Sequence, residues 1–164
     1  MSLAFDKLKV LIADDNPHMR SIIATVLKGL GVRDIREAKD GTEALLALRD
    51  WPADLAIIDY RMTPMDGVAF TKEVRLASKS ANIYLPIIMV TAYADLSRVV
   101  GAREAGVTEL IVKPVTAEAL ISRINSVIFH PRPFARTDTY FGPSRRRKRE
   151  GGYQGPDRRM VREG

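Results

Sequence analysis

The chain has 164 residues and a formal net charge of +6, and its 46% of hydrophobic residues can fill the core of one domain. No apolar run approaches the ~18 residues that a membrane span needs, and the first residues lack the pattern of a signal peptide, so we expect a cytoplasmic protein. The absence of cysteine excludes disulfides and thiolate metal sites.

The positive charge is concentrated near the C-terminus. Residues 1–130 contain 16 basic and 16 acidic side chains, whereas residues 131–164 contain 10 basic and 4 acidic ones. The basic character therefore belongs to an extension and not to the whole protein. We divide the chain into a folded domain, residues 1–130, and a basic extension, residues 131–164.

In the first part of the chain, short apolar runs alternate five times with segments of helical periodicity. The expected strands cover residues 10–13, 33–38, 53–58, 85–90 and 108–112. The expected helices cover about 17–30, 41–50, 67–77, 94–105 and 117–128. Asn16-Pro17 is typical of a helix start, and Gly106 is typical of a helix end. This (βα)₅ alternation predicts an α/β fold, doubly wound, with a five-stranded parallel sheet covered by helices on both faces.

The extension contains a repeat. Tyr140-Phe-Gly-Pro-Ser-Arg-Arg and Tyr153-Gln-Gly-Pro-Asp-Arg-Arg are two copies of Tyr-x-Gly-Pro-x-Arg-Arg, thirteen residues apart. Gly-Pro interrupts helices and cannot lie in an interior strand. Because the extension also has few aliphatic residues, we expect it to be extended or disordered.

Polar residues follow four of the expected strands, at the point where each strand ends. They are Asp14-Asp15, Asp59, Thr91 and Lys113. Each is common alone at a strand end, but the carboxyl ends of parallel strands line one crevice, so these side chains should meet. Carboxylates ~4 Å apart repel by roughly 4 kcal/mol per pair, and a cation must balance them. Oxygen ligands without a Cys or His cluster favour a hard ion, Mg²⁺ in preference to Ca²⁺.

These residues together resemble the receiver domain of bacterial two-component response regulators of the CheY type. The matching positions are Asp14-Asp15, Asp59, Met65-Asp66-Gly67, Thr91-Ala92 and Lys113-Pro114. The resemblance covers residues 8–128, about three quarters of the chain, and implies a flavodoxin-like receiver fold. It also implies that Asp59 is phosphorylated by a sensor histidine kinase or a histidine phosphotransfer protein.

The resemblance assigns a role to each residue of the crevice. The implied catalytic residues are Asp59, Thr91 and Lys113, and the implied Mg²⁺ ligands are Asp14, Asp15, Asp59 and the backbone carbonyl of Arg61. Asp14 would act through a water molecule, and Lys113 and Thr91 would hold phosphoryl oxygens. Pro114 would follow a cis peptide bond. Such a domain catalyses only its own phosphorylation and dephosphorylation, so we do not expect an enzyme.

Three features depart from the pattern of this family. Leu110 stands where receivers usually carry an aromatic residue that moves inward when the threonine binds phosphate. Pro64 lies one place later than the usual proline of its loop. Arg61 and Tyr93 are large residues two places after Asp59 and Thr91, and they predict slow loss of the phosphoryl group.

Several outputs are compatible with the sequence. We expect a protein partner on the face formed by the fourth helix, fifth strand and fifth helix, and a homodimer and a phosphorelay intermediate remain alternatives. A different class of function is nucleic-acid or polyanion binding by the extension, whose Arg145-Arg-Arg-Lys-Arg149 lies near aromatic residues. A phosphatase of the haloacid-dehalogenase type is disfavoured, because it would need an aspartate in place of Arg61.

Overall fold

A computed structural model describes residues 5–76 and 82–144. Its main strands are β1 (Lys9–Ala13), β2 (Asp34–Ala38), β3 (Leu55–Asp59), β4 (Ile87–Thr91) and β5 (Glu109–Val112). Its helices are α1 (Pro17–Gly29), α2 (Gly41–Asp50), α3 (Gly67–Leu76), α4 (Leu96–Ala105) and α5 (Ala117–Phe129). Every element expected from the alternation is present, and the described ends shift by at most two residues.

The five main strands form one parallel sheet with the order β2-β1-β3-β4-β5. This confirms the doubly wound, flavodoxin-like receiver fold. Both central strands β3 and β4 are buried along their whole length, as near-continuous apolar runs require. β5 forms one edge of the sheet, beside α4 and α5 in the chain.

Two hydrophobic clusters cover the two faces of the sheet. On one face, strand residues such as Ile12 and Ile57 pack with Leu27 of α1 and Ile124 of α5. On the other face, strand residues such as Leu11 and Met89 pack with side chains of three helices: Ala44 of α2, Phe70 and Val74 of α3, and Ala102 of α4. This two-faced core holds the carboxyl ends of the strands in fixed positions.

The helix boundaries follow their capping residues. The Asn16 side chain accepts hydrogen bonds from the backbone N–H groups of His18 and Met19, and so begins α1. Gly106 ends α4 in the left-handed conformation, with φ 107°, which a residue with a side chain rarely adopts. No helix among the described residues is long and apolar enough to cross a membrane.

The start of the extension is folded, which corrects the expectation of an extended or disordered segment for residues 131–144. β6 (Phe134–Arg136) and β7 (Phe141–Pro143) pair as an antiparallel hairpin. Phe141 is buried, and the rings of Phe134 and Phe141 contact the ring of Tyr84 with centroids 5.0 and 5.6 Å apart. Aromatic side chains thus attach the hairpin to the domain, although it lacks the aliphatic residues for a core of its own.

Arg75 of α3 lies beneath the hairpin and is buried. Its guanidinium lies 5.0 Å from the ring centroid of Phe134 and donates hydrogen bonds to the carbonyls of Gly106 and Ile83. Gly142 passes so close to Gly106 that a Cβ on Gly142 would lie 2.9 Å from the Gly106 Cα. As far as Ser144, the first copy of the repeat therefore forms part of a hairpin that packs against the domain. Its arginines and the whole second copy lie outside the described residues.

Candidate functional site

The four polar strand ends lie side by side because sheet hydrogen bonding continues beyond the strands. The Asp14 N–H donates to the Ala38 carbonyl at 3.1 Å. The Tyr60 N–H, directly after Asp59, donates to the Val90 carbonyl at 2.8 Å. The Lys113 N–H donates to the Thr91 carbonyl at 2.7 Å. The crevice at this edge of the sheet is lined by Asp14, Asp15, Asn16, Asp59, Tyr60, Arg61, Thr91, Ala92, Tyr93, Arg98 and Lys113.

Three carboxylates form an acidic cluster in this crevice. Asp14, Asp15 and Asp59 each offer an oxygen within 4.8 Å of the others. Asp14 and Asp59 are buried, and Asp15 is exposed. One Asp14 oxygen accepts the Asn16 N–H at 2.9 Å, while the other is buried and has no partner among the described residues. A buried, unpartnered carboxylate oxygen beside two more carboxylates is the donor set that suits a hard divalent cation.

The burial of Asp14 and Asp59 disfavours their charged forms. Burial raises the pKa of Asp14 from 3.8 to about 6, and the neighbouring charge of Asp59 adds to the effect. Burial also raises the pKa of Asp59, while its hydrogen bond to Lys113 acts in the opposite direction. A bound cation would offset this cost of burying charged carboxylates.

Lys113 brings a positive charge to the acidic cluster. Its ammonium nitrogen lies 3.0 Å from an Asp59 carboxylate oxygen, and its side chain is partly buried. The Lys113–Pro114 peptide bond is cis, as the resemblance implied, and the Thr63–Pro64 bond is cis as well.

The first residue of α3 packs against the backbone of Asp59. The Gly67 N–H donates to the Tyr60 carbonyl at 3.0 Å, and a Cβ on Gly67 would lie 2.5 Å from the Asp59 carbonyl oxygen. Only glycine permits this approach. Asp66 accepts the Ala69 N–H at 2.8 Å and thus caps the helix, as expected for a residue outside the reacting groups.

Thr91 is buried, and its hydroxyl is bonded to the backbone of Tyr93. It accepts the Tyr93 N–H at 3.2 Å and donates to the Tyr93 carbonyl at 3.1 Å. Any other acceptor in the crevice must compete with that carbonyl for the hydroxyl proton. Thr91 is therefore coupled to the segment that leads into α4.

Two residues of the crevice wall were missed by sequence reasoning, Tyr60 and Arg98. The Arg98 guanidinium lies 4.8 Å from the ring centroid of Tyr93 and 5.9 Å from that of Tyr60. It also pairs with Asp95 at 2.6 Å. No sequence signal identifies Arg98, because an arginine in the first turn of a helix is usually solvated, and only the position of α4 brings it to the crevice.

The chain is similar to known proteins over this same region. Residues 10–125 match the family described as "Response regulator receiver domain". The chemotaxis protein CheY of Pseudomonas aeruginosa is 38% identical over 120 residues, which are 73% of this chain and 95% of that protein. The chemotaxis protein CheY-3 of Vibrio cholerae is 35% identical over 120 residues, 73% of this chain and 91% of that one.

Solved structures agree with the sequence comparison. Chemotaxis response regulator CheY4 of Vibrio cholerae superposes with a TM-score of 0.68 at 30% identity, covering 74% of this chain and 98% of that one. CheY in the CheX–CheY–BeF₃–Mg²⁺ complex of Borrelia burgdorferi superposes with a TM-score of 0.65 at 25% identity, covering 73% of this chain and 88% of that one.

Proposed function

Because this chain belongs to the family of response regulator receiver domains, we propose that it accepts a phosphoryl group on Asp59 from a histidine kinase or a histidine phosphotransfer protein. The observation that carries the proposal is the pairing of the buried Asp59 carboxylate with Lys113 at 3.0 Å, inside an acidic cluster. A carboxylate held in this way is desolvated and oriented, which are the requirements of a nucleophile for phosphoryl transfer.

In the proposed reaction, an Asp59 carboxylate oxygen forms a bond to phosphorus, and the bond from phosphorus to the donor's histidine nitrogen breaks. That nitrogen keeps the electron pair. Lys113 shifts from the carboxylate to a phosphoryl oxygen, and the Thr91 hydroxyl leaves the Tyr93 carbonyl to donate to a second one. All three residues are held at adjacent strand ends, so little reorganisation is needed.

The proposed cofactor is Mg²⁺, held by Asp14, Asp15, Asp59 and the Arg61 carbonyl. When bound, it would neutralise the charge on the incoming phosphoryl group. The unpartnered Asp14 oxygen supports this assignment, since burial without a partner is costly. The related Borrelia burgdorferi complex contains both BeF₃ and Mg²⁺.

We also propose slow autodephosphorylation. Arg61 and Tyr93 line the crevice with exposed side chains, so they would stand between solvent and a phosphoryl group on Asp59. Large side chains at that position reduce the access of water to phosphorus.

The proposed output surface is the face of α4, β5 and α5. Leu96 and Val100 of α4 and Val112 of the edge strand β5 have exposed fractions of 79%, 37% and 44%. Exposed apolar side chains on neighbouring elements are typical of a protein-binding surface. A protein partner at this face is the expected output, and a phosphorelay intermediate would use the same phosphoacceptor.

The test is incubation with acetyl phosphate and MgCl₂, followed by intact mass measurement. Wild type should gain the mass of one phosphoryl group, and Asp59→Asn should gain none. Asp50→Asn, which changes an exposed aspartate at the end of α2, is the matched control and should behave as wild type. A gain that persists in Asp59→Asn, or no gain in wild type, would overturn the proposal.

A further inference from the structure

We propose that Arg98 is a second cation of the phosphoryl pocket and that it transmits the phosphorylation of Asp59 to α4. The inference rests on the proposed phosphorylation of Asp59. It addresses a specific gap, because Leu110 occupies the position of the aromatic residue that the resemblance led us to expect. We assign the connection between the phosphoryl group and the surface to Arg98.

Arg98 joins the pocket to the helix. It lies in the first turn of α4, its side chain is 29% exposed, and it lines the same crevice as Asp59, Thr91 and Lys113. Its guanidinium lies over the rings of Tyr60 and Tyr93. Tyr60 directly follows Asp59, and the backbone of Tyr93 is hydrogen-bonded to Thr91. Arg98 therefore lies next to one neighbour of Asp59 and one partner of Thr91.

The charge of Arg98 is balanced differently in the two states. Without phosphate, its guanidinium pairs with Asp95 at 2.6 Å. Phosphorylation replaces the single charge of Asp59 with a group of about −1.5 to −2. A guanidinium binds phosphate oxygens in bidentate fashion, and is therefore drawn from Asp95 towards the pocket.

The release of Asp95 then alters the start of α4. Asp95 is the N-cap residue of α4, yet its side chain makes no well-formed capping hydrogen bond and interacts only weakly with the backbone N–H of Arg98. Its carboxylate instead accepts from the Ser97 hydroxyl at 2.7 Å and from Arg98. Once Arg98 leaves, the carboxylate is available to accept a backbone N–H of the first turn, which is the usual arrangement at a helix start.

Thr91 acts on the same segment. Its hydroxyl must leave the Tyr93 carbonyl in order to donate to a phosphoryl oxygen. Residues 93–98 therefore have two alternative sets of bonds. In the first, Thr91 bonds to Tyr93 and Arg98 pairs with Asp95. In the second, Thr91 and Arg98 bind the phosphoryl group and Asp95 caps α4. Phosphorylation favours the second set.

The experiment compares wild type with Arg98→Ala, Arg98→Lys, Asp95→Ala and the matched control Arg103→Ala, which removes an arginine from the last turn of the same helix. The rate of phosphorylation by acetyl phosphate and amide hydrogen exchange of residues 94–100 are measured with and without phosphate on Asp59. In wild type and Arg103→Ala, phosphorylation should slow exchange at the first turn of α4 by about fivefold, the effect of one capping bond.

The variants should separate the binding of the phosphoryl group by Arg98 from the capping of α4 by Asp95. Arg98→Ala should lose the exchange difference and be phosphorylated about tenfold more slowly, and Arg98→Lys should recover part of the rate, since it restores the charge. Asp95→Ala should also lose the exchange difference but be phosphorylated faster than wild type, because Arg98 is then free to enter the pocket. A merely structural role would not give opposite changes in rate.

The failure of this inference is distinguishable from the failure of the proposed function. If Asp59 is phosphorylated in wild type, and Arg98→Ala has the wild-type rate and exchange difference, the role of Arg98 is overturned while the receiver function stands. If wild type takes up no phosphoryl group, both are overturned.

Discussion

The ammonium nitrogen of Lys113 lies 3.0 Å from a carboxylate oxygen of Asp59, which belongs to the same acidic cluster as Asp14 and Asp15. Lys113 therefore offsets part of the negative charge of the cluster. The proposed Mg²⁺ would share these carboxylates with Lys113, so Lys113 would weaken metal binding while it assists the proposed phosphoryl transfer.

Lys113→Ala should bind Mg²⁺ more tightly and accept phosphate more slowly. In this open crevice the effective dielectric approaches the ~80 of water, so removal of the Lys113 charge should increase Mg²⁺ affinity about threefold to tenfold. Loss of a phosphoryl-oxygen ligand should slow phosphorylation at least about tenfold. Titration calorimetry with MgCl₂ and intact mass after acetyl phosphate measure the two effects. Lys72→Ala, at an exposed position of α3, should leave both unchanged. Equal Mg²⁺ affinity in wild type and Lys113→Ala would contradict the shared cluster.

Asp14 should make the metal-free protein less stable as the pH rises. Its pKa is about 6 in the folded protein, above the ordinary 3.8, so the folded state binds the proton more tightly than the unfolded state. The stability conferred by this proton is fully present below about pH 4 and is lost as the pH rises through about 6.

Asp14→Asn should remove that dependence while it preserves the shape of the side chain. Without metal at pH 7.5, the variant should be about 1–2 kcal/mol more stable than wild type, allowing for screening by solvent in the open crevice. The difference should vanish near pH 4. Urea unfolding across this pH range measures it, and MgCl₂ at pH 7.5 should stabilise wild type more than the variant. A variant that is less stable than wild type at pH 7.5 without metal would refute the electrostatic account.

The sequence predicted the sheet and the acidic cluster for the same reason. Apolar runs that end in Asp59 or Thr91 define parallel strands, and the topology then determines where those ends meet. Arg98 could not be predicted in this way, because its access to the crevice depends on how α4 lies against the sheet. The hairpin was missed because Phe134 and Phe141 pack against Tyr84 and Arg75, partners far away in the sequence that no local pattern connects.

Phe141→Ala should detach the hairpin and destabilise the whole domain. The Phe141 side chain is 5% exposed and packs on Tyr84 and Phe134, so its truncation should cost about 2–3 kcal/mol. Chemical denaturation measures the loss. Leu46→Ala, which truncates a 51% exposed side chain of α2, should change stability by less than about 0.5 kcal/mol. An equally small effect of Phe141→Ala would mean that the hairpin does not stabilise the domain.

The hairpin of β6 and β7 lies at the edge of the sheet opposite to Asp59. It packs against Tyr84 and Gly106, which precede β4 and β5, whereas Asp59 is the last residue of β3 and Lys113 directly follows β5. Five residues of strand separate the two edges by about 16 Å. The proposed phosphodonor protein would thus approach Asp59 from the edge opposite to the extension as far as Ser144.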